Sequence, residues 1–259
     1  MSDSILYTRQ ENDIAILQVN RPAASNALNW ATQEAFATAV QQATDNPPRV
    51  LIVTGAGDRV FIGGGDLRQL SEHPEAEAGA RLNRTMRDAL DALTQLPCPV
   101  IGAVNGDAAG GGTEVLTACD LRLSVPTARF HFVQVRMGLT SGWGGTARLV
   151  RLLGQSRATG LMLTGQSLTA VDAHQIGFLH QLAPAGEAVL DTAVRWAEKL
   201  ATLPRHALSA EKRLLQTALS ESLHEGYQRE TSEFLPLYGA PDNREAIAAF
   251  LEKRQPRFQ

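Results

Sequence analysis

Two glycine runs, one of them ending in an acid, are the residues of this chain best able to do chemistry. The first is Asn105-Gly106-Asp107-Ala108-Ala109-Gly110-Gly111-Gly112-Thr113-Glu114, which leads an apolar strand through glycines into the first turn of a helix. Glycine lets the backbone approach a ligand closely, and the first N–H groups of a helix lack intrahelical partners and carry partial positive charge. Such amides can stabilise a developing enolate oxygen. Glu114, one turn further on, is placed to move a proton at the carbon beside that carbonyl. It also reads as an acid that simply complements the helix dipole. The second run, Val60-Phe61-Ile62-Gly63-Gly64-Gly65-Asp66-Leu67, can supply the other amide of a two-donor oxyanion hole. Asp66 at its end reads as a helix N-cap.

The elements that must carry these runs are legible as apolar segments. Ile14 to Val19, Val50 to Thr54, Val100 to Val104 and Leu121 to Val125 read as short buried strands. Trp30 to Ala43 and Arg81 to Leu96 have helical spacing, the second stopped by Pro97. Alternation of strands and helices gives an α/β fold. After Gly154 the strand signal fades and helices follow over Glu187 to Leu200, His206 to Leu219 and Ser222 to Leu235. This divides the chain softly into a core over 1–190 and a helical C-terminal region over 191–259. The segment Ser71 to Ala80 lacks periodicity and reads as a mobile loop.

Composition sets the class. The chain has 259 residues, 44% hydrophobic and 20% charged, enough for one large core. Its net charge of −3, with no basic cluster interleaved with aromatics, argues against nucleic acid as a partner. No segment is apolar for long enough to span a bilayer, and Met1-Ser2-Asp3-Ser4 does not begin a signal peptide, so a cytoplasmic protein with no membrane partner is expected. Cys98 and Cys119 read as reduced packing residues, and the scattered histidines suggest no metal site. Neither glycine run completes a dinucleotide fingerprint, and Ser141 is misplaced for a nucleophile elbow.

Taken together, these motifs resemble the crotonase superfamily, the enoyl-CoA hydratase and isomerase group. The resemblance runs through Asn20-Arg21-Pro22, Asn26-Ala27-Leu28-Asn29, Phe61 to Leu67, Ala103 to Glu114 and Cys119-Asp120. It continues through Gly142-Trp143-Gly144-Gly145-Thr146, Leu163-Thr164-Gly165 and Phe250-Leu251-Glu252-Lys253-Arg254. It implies a spiral of β-β-α turns with a helical C-terminal trimerisation region, assembled as a homotrimer or hexamer. It implies an acyl-CoA substrate, coenzyme A being part of the thioester rather than a separate cofactor. The amides of Gly65 and Gly111 become the oxyanion hole. Ala27, Leu28, Gly63 and Leu67 contact coenzyme A, and Phe250 and Lys253 reach the coenzyme A held by a neighbouring subunit. Trp143, where the family often has a small residue, either narrows the acyl pocket or packs in a subunit contact. Arg136 reads as a surface residue on a strand edge.

The resemblance also exposes a departure. Hydratases of the family use two glutamates; Glu114 matches the first, and the second position holds Gln134. An amide has no proton to exchange near neutral pH. One carboxylate with an oxyanion hole suits decarboxylation of a malonyl-type thioester, because loss of CO2 itself generates the enolate. The sequence therefore favours a lyase of that kind. The alternatives are an enoyl-CoA hydratase with Gln134 in place of the second glutamate, and a non-catalytic acyl-CoA-binding homologue.

Overall fold

A computed structural model describes residues 4–10 and 12–258; residues 1–3, 11 and 259 lie outside the described part. Strands β1 (Ile5–Arg9), β2 (Ile14–Val19), β3 (Val50–Gly55), β5 (Val100–Val104), β7 (Leu121–Ser124) and β10 (Gln181–Leu182) form one sheet. Its order is β1-β2-β3-β5-β7-β10, with β1 antiparallel to β2 and every other pair parallel. A second sheet has the order β4 (Val60–Ile62), β6 (Asp107–Ala109), β8 (Arg129–His131) and β9 (Ser167–Thr169). The chain alternates between them. Each pass lays one strand in the first sheet and the next in the second, β3 then β4, β5 then β6, β7 then β8, before a helix returns it. This is the β-β-α spiral, and its strand ends deliver both glycine runs at neighbouring positions of the second sheet.

The middle strands are buried on both faces, which explains their continuous apolar sequence. Alternate residues of β3 serve two cores. Leu51 and Val53 pack with α1 (Trp30–Asp45) and α3 (Ala76–Gln95), while Val50 and Ile52 pack with Val189, Ala193 and Ala197 of α8 (Val189–Ala201). The division at residue 190 therefore falls inside a helix that covers the first sheet.

Two expectations change. Ser71 to Ala80 is not a loop: α2 (Leu67–Glu72) and α3 leave only residues 73–75 between them, and Ala78 is buried. Glu75 at the N-cap position and Glu77 in the first turn favour that helix start, while its few apolar residues and Gly79 hide the periodicity. The three-residue strands of the second sheet carry too few residues to alternate visibly, so β6 was hidden inside the glycine motif and β9 followed the point where strand signal faded. Cys98 and Cys119 are free and buried, and burial pushes their thiols up to about 11 and about 12, as suits packing residues.

Helices α4 (Gly111–Thr117), α5 (Gly145–Leu153) and α6 (Gln155–Thr164) cap the spiral, α7 (Ala170–Gln175) follows β9, and α9 (Arg205–Thr217), α10 (Leu223–Leu237) and α11 (Pro241–Glu252) complete the chain. An ion pair between a buried lysine and a half-buried aspartate ties α9 to the core. Lys212 Nζ lies 2.7 Å from Asp120 Oδ2 and donates to the Cys98 carbonyl at 2.9 Å, while Asp120 also accepts from the Val100 N–H at 2.7 Å. Burial raises the Asp120 carboxyl and the Lys212 ammonium opposes that rise. Removing Lys212 leaves a half-buried carboxylate with the Val100 N–H but no ion-pair partner among the described residues. Lys212→Met is expected to cost about 3 kcal/mol of stability in urea unfolding, with the Asp120→Asn, Lys212→Met double variant recovering part of it.

Candidate active site

The site is assembled from four short backbone segments. The stretch after β4 and the start of α4 stand against each other: a Cβ added at Gly64 would lie 3.0 Å from the Ala109 carbonyl and 3.2 Å from the Gly111 nitrogen. Gly64 and Gly110 have φ of 94° and 51°, a region that favours glycine. Gly112 is tighter still, since its Cβ would fall 1.9 Å from the Ile62 carbonyl oxygen. The approach of the two runs is therefore possible only without side chains. Neither the Gly65 N–H nor the Gly111 N–H donates to an acceptor among the described residues, and Gly111 is the first residue of α4. The two amides predicted as an oxyanion hole are thus free and on adjoining loops.

Glu114 is only 4% exposed, yet its carboxyl oxygens are surrounded by donors. Oε2 accepts from the Trp143 N–H at 2.8 Å and the Gly145 N–H at 3.0 Å, and Oε1 accepts from Gln134 Nε2 at 3.2 Å. The two amides belong to the glycine turn that starts α5, so the positive end of that helix faces the acid. Gly145 must lack a side chain, because a Cβ there would lie 2.4 Å from Glu114 Cγ. Gln134 begins a 3-10 turn over Gln134–Met137 and is 7% exposed. Its Nε2 is spent on Glu114, while its Oε1 is buried with no partner among the described residues. A cavity of about 10 Å³ lies beside it, lined in part by Glu114, Gln134, Thr113 and Thr117. That is close to the room one water needs. Buried polar atoms rarely stay unpaired, so this carbonyl marks a place for a hydroxylic guest.

Trp143 lies inside this protomer, 4% exposed, with its ring on Gly111: Cζ3 would come within 2.1 Å of a Cβ at that glycine. It therefore walls the start of α4 at Gly111. The Ala27 and Leu28 segment is held against Gly63 to Gly65. The Leu28 N–H donates to Gly64 O at 2.8 Å, the Asp66 N–H donates to Leu28 O at 3.2 Å, and the Gly63 N–H donates to Ser25 O at 3.0 Å. Leu28 is fully buried, whereas Leu67 is exposed. Phe250 is 83% exposed on the last turn of α11, and Lys253 caps that helix with φ 55°; neither belongs to the shell around Glu114.

Asp66 corrects the N-cap expectation. It occupies the cap position of α2 without a side-chain cap bond, and pairs instead with Arg21 at 3.0 Å. The same guanidinium donates to the Ala27 carbonyl, so it pins the Ala27-Leu28 segment to the end of the Gly63-Gly64-Gly65 run at Asp66. Arg136 is exposed as expected, but on the 3-10 turn rather than a strand edge. Sequence reasoning passed over Arg21 and Arg148 as functional residues; Arg21 stood inside a quoted motif, and Arg148 had no sequence signal. Among the described residues, no three His, Cys, Asp or Glu side chains come together to hold a metal ion.

The packing of Gly112 on a backbone oxygen gives a direct test. Gly112→Ala is expected to cost about 3 kcal/mol and abolish activity, because β4 would have to move. Gly79→Ala in α3, where a Cβ meets nothing within 4 Å, is expected to stabilise by about 0.5 kcal/mol. Thermal unfolding of both proteins checks the contrast.

Comparison with known proteins agrees with this geometry. The family profile described as Enoyl-CoA hydratase/isomerase matches residues 9–259. The chain is 35% identical over 256 residues to the 2,3-dehydroadipyl-CoA hydratase of Escherichia coli K12, covering 98% of each protein. It is 33% identical to the crotonyl-CoA hydratase of Syntrophomonas wolfei, covering 98% of this chain and 97% of that one. The crystal structure of an enoyl-CoA hydratase from Bacillus anthracis superposes with a TM-score of 0.94 at 31% identity, covering 99% of both chains. With its two free glycine amides and the buried Glu114 between them and α5, the chain belongs to the enoyl-CoA hydratase/isomerase family, the crotonase superfamily.

Proposed function

We propose that this protein adds water across the double bond of a 2-enoyl-CoA thioester, with Glu114 as its single proton-transfer group. The observation that carries this reading is the pairing of Glu114 with an amide whose carbonyl has no partner among the described residues. Gln134 Oε1 accepts a hydrogen bond from the attacking water and aims it. As the water oxygen bonds to the β-carbon, Glu114 takes its proton, and the electron pair of the double bond moves onto the thioester oxygen. The Gly65 and Gly111 amides stabilise that enolate. Glu114 then returns the proton to the α-carbon, so atoms balance with one carboxylate.

This replaces decarboxylation as the leading reading. The absence of a second acid favoured loss of CO2, but the relatives compared above carry hydratase names, and nothing in them supports decarboxylation. Physically, Gln134 lacks the proton of an acid but keeps a carbonyl that can accept a hydrogen bond. Crotonyl-CoA is the substrate to try, with the product identified by mass. Glu114→Gln is expected to lower kcat by about 10²- to 10⁴-fold. Gln134→Met, which removes the carbonyl, is expected to cost about tenfold, and Gln134→Glu to raise hydration. Release of CO2 from methylmalonyl-CoA without hydration would overturn the proposal.

Assembly of three or six chains belongs to the same reading. Phe234, Tyr238, Phe250 and Leu251 are exposed on α10 and α11, and a cavity of about 810 Å³ opens between α9, α10 and α11, away from Glu114. Apolar surface of this kind suits burial against another copy. Light scattering on the purified protein is expected to give a trimer or hexamer, and Phe250→Glu to weaken it; a stable monomer with full activity would contradict this.

A further inference from the structure

We infer that Arg148 is a positioning residue for Glu114, clamping the turn whose amides hold the carboxylate. The turn Gly142-Trp143-Gly144-Gly145 carries three glycines, and Gly144 sits at φ 83°, so its own backbone does little to fix it. Arg148, on the first turns of α5, reaches back over it. Its Nη2 donates to the Trp143 carbonyl, on the residue whose N–H holds Glu114 Oε2. Its Nε donates to Thr117 Oγ1 at 3.1 Å, and that hydroxyl donates to the Glu114 carbonyl at 2.6 Å. Its Nη1 is held by Asp91 Oδ1 of α3 at 3.0 Å.

One guanidinium therefore joins the residue that supplies the acid to the turn that supplies its donors, with α3 as anchor. The planar fork of arginine can satisfy three acceptors in fixed directions, which a lysine ammonium on a flexible stem cannot do in the same geometry. The Arg148 side chain is 14% exposed, while Asp91 is 60% exposed, so the anchor can be changed without opening the core. Without the clamp the Trp143 and Gly145 amides drift, and displacements near 1 Å at a reacting group cost on the order of 100-fold in rate.

This rests on the proposed role of Glu114, and two readouts separate the failures. The first is independent of any reaction: hydrogen exchange at the Trp143 and Gly145 amides, expected to quicken at least tenfold in Arg148→Ala while exchange in β3 and β5 stays unchanged. The second is hydration of crotonyl-CoA. Arg148→Ala is expected to lose about 100-fold in kcat with KM within threefold, and added guanidinium ion to restore at least tenfold of it, with Arg148→Lys recovering less. Asp91→Asn is expected to lower kcat about threefold without changing KM. Unchanged exchange at those amides, or a folded Arg148→Ala enzyme that keeps its kcat or loses kcat and KM together without rescue, overturns the clamp. If Arg148→Ala does not fold, Asp91→Asn decides: the same exchange pattern and kcat loss support the clamp, and wild-type values in both overturn it.

Discussion

The rest of the site depends on a carboxylate that the chain has buried and then surrounded with donors. Removing Glu114 from water without compensation would be strongly unfavourable, and two backbone amides from the start of α5 with the Gln134 side chain replace its hydration. Those amides are fixed in space, whereas water must reorient as charge moves. A proton can then leave and return to one oxygen pair while the donors around it stay in place. The need to bring α5 within hydrogen-bonding distance of α4 explains Gly145, whose side chain would occupy the volume of Glu114 itself.

The same constraint shapes the opposite wall. An oxyanion hole needs N–H groups that no protein acceptor consumes, and a folded interior leaves few of those. By ending parallel strands in glycines the spiral leaves two such groups, the N–H of Gly65 and of Gly111, without an acceptor among the described residues. Leu28 makes a single bridge to Gly65, taking the Gly64 carbonyl and the Asp66 N–H and leaving the N–H of Gly65 itself unspent. Arg21 and Asp66 hold that bridge from the other side. Trp143 then covers Gly111, placing a large apolar face beside the polar donors, where exclusion of water strengthens them.

Much of this was legible in the residues, and the misses have physical reasons. The long first-sheet strands were clear because burial on both faces makes them continuously apolar; β5 runs from Val100 to Val104 as read. Strands β6, β8 and β9 were hidden, since three residues cannot show a period and their sequence is set by the loops they feed. Helix α3 began earlier than its apolar face suggests, because an N-terminus is signalled by acids rather than by core residues. At the site, the two glycine runs and Glu114 stood out as residue types, and the choice of Gly65 and Gly111 within them came from the family resemblance; the fold brings these segments together. Arg148 could not, because its role comes from three acceptors on α3, α4 and the α5 turn that only the fold brings together. The sequence shows in Gln134 only the acid it lacks; its contact with Glu114 and its carbonyl without a partner among the described residues are properties of packing.

The account stands on enolate formation between Glu114 and the two glycine amides, and that step can be isolated from water addition. Butyryl-CoA has no double bond to hydrate, so exchange of its α-hydrogens in heavy water, followed by mass spectrometry, reports proton removal alone. The wild-type protein is expected to introduce deuterium at the α-carbon, Gln134→Met to keep that exchange, and Glu114→Gln to lose it. Exchange that persists undiminished in Glu114→Gln would show that another group moves the proton, and would contradict the account.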